Sequence, residues 1–272
     1  MSLLEAVILG VVQGLTEFLP VSSTGHLIII QKIFNINEPA LFFGTMLHVG
    51  TLAAVFFVLR KDIWSILKKI NQPLTLYLII GTIPAIIFAL VFRKQLEYLF
   101  NTGEYLFLAF FITAALLITA ELLAKRSRRS LKNASSMSWL EALIVGIFQA
   151  VAVIPGISRS GATLAGALSC KLNRDFAARF SFLLSIPAIL GAVFFQLIQS
   201  NPEAKAVDTA LAVTGIGIPE IIAGTLSAAL TGFFAIRFML WIVRTKPLWG
   251  FAIYTGLLGL FLLIDKFALH FF

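Results

Sequence analysis

Six stretches of this chain are each apolar and long enough to cross about 30 Å of hydrocarbon as a helix of roughly 20 residues. They fall near 42–59, 74–92, 105–124, 176–198, 218–243 and 249–270. In lipid every backbone N–H and C=O must be satisfied internally, so runs of this length are expected to be α-helices. Composition agrees: of 272 residues, 59% are hydrophobic and 12% charged, where a soluble domain carries about 25% charged residues. A single soluble core could not hide so much apolar surface. No hydrophilic block is long enough for a second domain, so residues 1–272 are expected to form one all-α membrane domain. The opening MSLLEAVILG lacks the basic region and cleavage site of a signal peptide and is read as part of the mature fold. The one cysteine, Cys170, excludes an intrachain disulfide and reads as a buried, inert thiol.

Two further apolar segments, 3–34 and 139–172, are interrupted near their middles. The first break reads Pro20-Val21-Ser22-Ser23-Thr24-Gly25-His26 and the second Pro155-Gly156-Ile157-Ser158-Arg159-Ser160-Gly161. The pieces on either side are too short to span well, which predicts re-entrant helical hairpins. The two segments also match one another. A shift of 136 residues pairs Ser2 with Ser138, Glu5 with Glu141, Gly10 with Gly146, Gln13 with Gln149, Ser22 with Ser158 and Gly25 with Gly161. Farther on, Ala54-Val55-Phe56-Phe57 echoes Ala192-Val193-Phe194-Phe195. Both Ser2 with Glu5 and Ser138 with Glu141 form S-x-x-E capping boxes, which mark helix starts. The expectation is a duplication, 1–136 and 137–272, each half holding one broken hairpin and three spans. An odd number of crossings inverts the second copy, giving an inverted-topology repeat with its site where the interrupted helices meet.

The net charge of +8 lies in short runs between spans. That is the positive-inside pattern and not a nucleic-acid footprint. With the N-terminus outside, the inner loops receive Arg60, Lys61, Lys68, Lys69, the run Lys125 to Arg129, Lys132, Lys171, Arg174, Arg179, Arg237, Arg244 and Lys246. The outer side keeps Lys32, Arg93, Lys94, Lys205 and Lys266. Both termini are therefore expected outside, with the first hairpin entering from there.

Gln13 and Glu17 are one helical turn apart and share a face. A carboxylate inside an apolar segment costs roughly 3 kcal/mol on insertion scales and persists only with a partner or a watery cavity. Glu17 is a candidate metal ligand or general base, and Gln13 a neutral oxygen ligand or donor. His26 follows the turn Ser22-Ser23-Thr24-Gly25 and is a candidate nucleophile or acid/base, with Ser23 the competing nucleophile. A lone interfacial His or a lone Glu is more often structural. The concentration of both in a repeated hairpin favours chemistry.

In the second break, the glycines permit a tight turn and a restarting helix leaves the N–H groups of Ser160, Gly161 and Ala162 free for an anion. Ser158, Ser160 and Thr163 add hydroxyls. Arg159 supplies a permanent charge whose fork matches phosphate oxygens. A membrane Arg ordinarily snorkels to water, but snorkelling requires none of these surrounding donors. Glu121 ends a span and is expected to pair with the basic loop after it. His48 reads as a packed or lining residue and His270 as solvated, and neither is assigned to chemistry.

The segments Gln13 to His26 and Pro155 to Thr163 resemble, ungapped, the two signatures of the undecaprenyl-diphosphate phosphatases, also called bacitracin resistance proteins, and the likeness covers essentially the whole chain. It implies hydrolysis of undecaprenyl diphosphate to undecaprenyl phosphate and inorganic phosphate, recycling the carrier lipid for cell-wall polymers in the bacterial cytoplasmic membrane. It also implies a divalent cation, Mg2+ or Ca2+, held by Glu17. The substrate-binding set is Gln13, Ser22, Thr24, Ser158, Ser160, Gly161 and Thr163. The family accepts Glu or Gln at the first position of its acidic pair, so Gln13 departs only from the two-carboxylate version. The expected partners are the polyprenyl diphosphate and membrane lipids, with no nucleic acid and room for a homodimer. Hairpin order and loop charge turn the pocket toward the extracytoplasmic side. The rival is a secondary transporter or flippase for polyprenyl phosphate, since inverted repeats with broken helices also build transporters.

Overall fold

The computed structural model describes residues 1–34, 36, 41–126, 131–199 and 216–269. Among the described residues the chain is helical, with a single isolated bridge between Lys132 and Leu172 and no strand. The first hairpin is α1 (Leu3–Phe18) and α2 (Ser23–Ile33). Then come α3 (Leu41–Val58), α4 (Arg60–Lys68), α5 (Pro73–Val91), α6 (Arg93–Thr102) and α7 (Leu106–Arg126). The second hairpin is α8 (Trp139–Val151) and α9 (Arg159–Ser169). It is followed by α10 (Arg174–Gln199), α11 (Ile218–Thr245) and α12 (Trp249–Ile264), which runs into a π-helical turn, Asp265–Leu269. All six expected spans are present, five as continuous helices long enough to cross, and α3 as a sixth that bends by 78° into α4.

Both helix starts predicted from capping boxes are observed. Ser2 and Glu5 cap α1 reciprocally, and Ser138 and Glu141 do the same for α8. Glu141 also takes Lys132 Nζ at 2.6 Å. Two short helices were not anticipated. The sequences of α4 and α6, RKDIWSILK and RKQLEYLFNT, carry too many charges to span. Their apolar residues lie on one side, as expected of helices lying along a membrane surface. Beyond α12, His270 lies outside the described residues, as does part of the basic run after Lys125.

The surface is that of a protein solvated by lipid. On α5, Leu76, Ile79, Ile83, Ile86, Ile87 and Leu90 are exposed, and on α11 so are Leu226, Leu230, Phe234, Phe238 and Trp241. Helical spacing puts each set on one face. The opposite face of α11 is small: Gly224, Ala228, Gly232 and Ala235 are buried. Lipid tails are as apolar as leucine, so helices associate in lipid by close packing of small residues. Here α1 lies along α11, and α8 along α5. A Cβ on Gly146 would stand 2.7 Å from the Gly81 carbonyl oxygen, and one on Gly10 would collide with that of Gly224. These contacts seat each hairpin against a span from the other half of the chain.

The open ends of the hairpins lie at opposite ends of α7. Lys32, in the last turn of α2, shares a pocket with Gly103, Glu104, Leu106, Asp265 and Lys266. Beside Glu121 and Lys125, the loop after α9 is tied down by hydrogen bonds from Lys132 N to Lys171 O (2.9 Å) and from Asn173 N to Lys132 O (2.7 Å). There, among the described residues, the partner of Glu121 is not the loop that follows it but the start of α10. Glu121 binds Arg174 at 2.6 and 3.2 Å and accepts the Leu248 N–H at 2.8 Å. The carboxylate is buried, and the start of α10 offers it a bidentate partner.

Gly146→Leu is expected to destabilise the fold by about 1–3 kcal/mol, because the obstacle is backbone and cannot step aside. Gly191→Ala is the control, since nothing lies within 4 Å of its added Cβ. Thermal unfolding in detergent should separate the two.

Candidate active site

Each hairpin turn presents one reactive side chain as a helix restarts. α1 closes with Leu19 in extended conformation. Ser22 then adopts φ 72°, a left-handed conformation that costs a non-glycine residue of order 1–3 kcal/mol. The turn is held by its own groups. Ser22 Oγ accepts the Gly25 N–H at 3.2 Å, and His26 Nδ1 lies 2.7 Å from the Ser22 carbonyl oxygen. A carbonyl can only accept, so Nδ1 carries the proton and Nε2 accepts from Tyr254 OH at 2.7 Å. The imidazole is stacked on Tyr254 and meets Phe110 edge-on. His26 is thus turned away from the cavity described below, with both ring nitrogens engaged. Its observed work is to hold the strained turn that delivers Ser23 to the first position of α2.

In the second hairpin Gly156 takes φ 90°, which glycine alone adopts readily. Ser158 caps α9 by accepting the Gly161 N–H at 3.1 Å, and its own N–H donates to Thr113 Oγ1 on α7, also at 3.1 Å. The Ala162 N–H goes to the Ser158 carbonyl. So Gly161 and Ala162 N–H groups are spent within the helix start, contrary to the expectation that they face an anion. Ser160 Oγ donates to the Leu19 carbonyl at 3.0 Å, and Thr163 Oγ1 lies 2.5 Å from Ser181 Oγ. Those two hydroxyls fasten α9 to the end of α1 and to α10.

The two turns meet at Glu17, which is 7% exposed. Arg159 Nη2 donates to Glu17 Oε1, joining the hairpins by an ion pair. Oε2 accepts from Ser23 Oγ at 2.6 Å and from Gln13 Nε2 at 3.0 Å. His48 Nδ1 on α3 stands 3.6 Å from Oε2 and 2.9 Å from Gln13 Nε2. The carboxylate is therefore compensated by a cation and two donors, as burial in low dielectric demands.

A cavity of about 200 Å³ opens beside this cluster. Glu17, Ser22, Ser23, Thr24, Ser158 and Arg159 line it, as do Thr16, Thr45, His48 and Gln149. Ala188, Ile189, Ala192 and Val193 of α10 and Ala85 of α5 form an apolar wall. Gln13, His26, Ser160, Gly161 and Thr163, all singled out from sequence, support the site without lining it. His48, expected as a packed or lining residue and given no chemistry, lines the cavity. Its signal was present: Thr45, His48 and Thr51 are polar residues at helical spacing in an otherwise apolar span, and intramembrane ionisable groups usually face the bundle interior.

What these features define is a polytopic membrane protein with a polar pocket, built from two broken hairpins that bring an arginine, a carboxylate and a serine together. The chain belongs to the family described as Bacitracin resistance protein BacA, whose model matches residues 6–261. It is 43% identical over 268 residues to the undecaprenyl-diphosphatase of Carboxydothermus hydrogenoformans, covering 98% of this chain and 99% of that protein. It is 41% identical to undecaprenyl-diphosphatase 3 of Bacillus cereus, with the same coverage. The undecaprenyl-diphosphatase of Alkaliphilus metalliredigens is 39% identical over 278 residues, covering 95% and 97% of the two chains.

Thr113→Val removes the acceptor of the buried Ser158 N–H. The expected loss is about 1–3 kcal/mol for an unsatisfied buried donor, read as a lower melting temperature in detergent, with a fall in activity because the α9 cap carries Arg159.

Proposed function

We propose that this chain is an integral membrane phosphatase that hydrolyses undecaprenyl diphosphate, with Ser23 as nucleophile, Glu17 as its base and Arg159 as the anion-binding group. The observation that carries this reading is the hydrogen bond from Ser23 Oγ to Glu17 Oε2 at 2.6 Å, on a carboxylate that also holds Arg159. A nucleophile and base in hydrogen-bond contact, with the base oriented by third groups, is the arrangement required for activation. The Arg159 and Glu17 roles follow the sequence reading, whereas the nucleophile moves from His26 to Ser23. His26 becomes a positioning residue.

Ser23 Oγ attacks the terminal phosphorus and its proton passes to Glu17. The bond between that phosphorus and the bridging oxygen breaks, and undecaprenyl phosphate leaves with the electron pair. Glu17 gives its proton to solvent and takes one from the water that attacks the phosphoserine; the bond from phosphorus to Ser23 Oγ breaks, Oγ leaves with the electron pair and recovers the proton from Glu17, and inorganic phosphate is released. Phosphoryl transfer asks the protein mainly for positioning and charge stabilisation. Arg159 spends one N–H on Glu17, and the rest of its fork is available to phosphate oxygens. The apolar wall from α10 suits the first isoprene units.

Mg2+ or Ca2+ fits this site only as an ion shared with the substrate. Among the described residues no group of three or more His, Cys, Asp or Glu forms a metal cage. Glu17 is the one carboxylate on the cavity wall, and the buried Gln13 Oε1 is an oxygen without a partner. Such a lean oxygen set matches a cation that keeps waters and binds mainly through phosphates. When bound, it would neutralise charge on the diphosphate, with Glu17 as its protein ligand.

The same reading treats 1–136 and 137–272 as inverted repeats. Its support is the repeat-related packing of α1 on α11 and α8 on α5, and the hairpin openings at opposite ends of α7. Loop charge supports an opening of the first hairpin on the outer side of the bacterial cytoplasmic membrane.

Purified protein in detergent should release phosphate from C55 diphosphate, and EDTA should suppress the release. Arg159→Ala should lower kcat by about 3 kcal/mol, or roughly 10²-fold, the scale of one lost oxyanion donor. Ser23→Ala should abolish turnover. Retained turnover in Ser23→Ala would transfer the nucleophile to a water on Glu17, and absence of release by folded wild type would favour lipid flipping.

A further inference from the structure

Among the described residues, His48 is the one ionisable residue on the cavity wall to which the mechanism above gives no work. It lies on α3, outside both hairpins, and its side chain is 33% exposed. Its protonation pattern follows from its neighbours. Glu17 Oε2 can only accept, so the Gln13 atom 3.0 Å from it is the amide nitrogen. That NH2 has two hydrogens. One goes to Glu17, and the other points to His48 Nδ1 at 2.9 Å. Nδ1 therefore accepts, and the neutral imidazole carries its proton on Nε2, at the far side of the ring from Gln13. Nε2 has no hydrogen-bond partner among the described residues, and the ring lines the cavity.

The placement relative to Glu17 gives this N–H a use. Arg159 approaches Oε1, whereas Ser23 and His48 are both on the Oε2 side. A phosphoryl group attacked by Ser23 then has Arg159 on one flank and His48 on the other. The charged groups facing His48 are Glu17 from α1 and, beyond it, Arg159 from α9. α10 presents apolar residues to the same cavity, and where α3 meets α11 at Gly50 the neighbours are Thr225 and Ala228.

We propose that His48 is a substrate-facing residue of the reaction, its Nε2–H donating to a non-bridging oxygen of the phosphoryl group under attack, with Gln13 as the positioning residue that fixes the tautomer. This rests on the phosphatase reading. It also gives the glutamine of the Gln13–Glu17 pair its own purpose. A carboxylate at position 13 could not donate to His48 Nδ1, and would instead draw the imidazole proton to that side, away from the substrate.

Two amides separate this role from a structural one. In His48→Asn the side-chain amide reaches the place of Nδ1 and can keep the Gln13 contact, but it offers nothing at the place of Nε2. In His48→Gln the longer side chain carries an NH2 to the Nε2 position. With C55 diphosphate in detergent and Mg2+ present, His48→Asn is expected to lose on the order of 10²-fold in kcat, with KM little changed. His48→Gln should retain most of the activity. Orthovanadate, a mimic of the transferring phosphoryl group, should inhibit His48→Asn less well in proportion to its lost kcat. Equal turnover by His48→Asn and wild type, or equal impairment of the Asn and Gln variants at unchanged vanadate sensitivity, overturns the assignment. Matching melting temperatures establish that both variants are folded. A wild-type protein that releases no phosphate defeats the phosphatase reading itself, whereas an active wild type with indifferent variants defeats only the role of His48.

Discussion

The contact between Glu17 and Arg159 is the constraint around which the molecule is arranged. Each charge alone would be costly at its depth among apolar helices, and losing either partner of a buried pair costs about 3–5 kcal/mol. The two residues are 142 positions apart and belong to different hairpins. They can meet only if two helices that would otherwise cross the bilayer break and present their turns to one another. The glycine contacts of α1 with α11 and of α8 with α5 follow from that requirement, because they let each hairpin arm sink close enough to its neighbour for the turns to touch.

Breaking a helix inside a membrane exposes backbone groups that lipid cannot satisfy. The surrounding polar residues answer that problem almost one for one. The Leu19 carbonyl takes Ser160, the Ser22 carbonyl takes His26, and the Ser158 N–H finds Thr113. Much of the polarity in the two signatures is thus devoted to holding turns, and only part of it to the cavity. Of the serines and threonines of the two breaks, Ser22, Ser23, Thr24 and Ser158 line the pocket, and Ser160 is spent on the Leu19 carbonyl.

The sequence made the spans legible because lipid enforces length and apolarity, and it made the hairpins legible because Pro, Gly and Ser interrupt that pattern. Glu17 and Arg159 could be read because charge in an apolar run demands a reason. What could not be read was direction. His26 and Ser23 are three residues apart in one turn, and only the φ of Ser22 decides which of them meets Glu17 and which meets Tyr254. The α4 and α6 helices escaped notice because their helical signal is short and charged, and Thr113 and Tyr254 because their partners are more than 40 residues away in sequence. The Arg174 partner of Glu121 was hidden for the same reason.

Glu121 with Arg174 and Glu17 with Arg159 are two buried ion pairs in one bundle, and comparing them shows what separates a clamp from a site. Arg174 spends Nε on the Val243 carbonyl, Nη1 on Glu121, and Nη2 on both Glu121 and the Lys246 carbonyl. Every nitrogen of its fork is engaged by fixed protein atoms, and Glu121 receives a backbone N–H besides. Four of its five N–H groups are spent in this way. Among the described residues Arg159 makes a single hydrogen-bonded contact, with Glu17, and borders a cavity, and Glu17 itself is shared with a hydroxyl that can act as a nucleophile. Hydrogen-bonding capacity that a fold leaves unspent, in a place where desolvation makes it costly to leave so, is the physical mark of a group kept for a substrate.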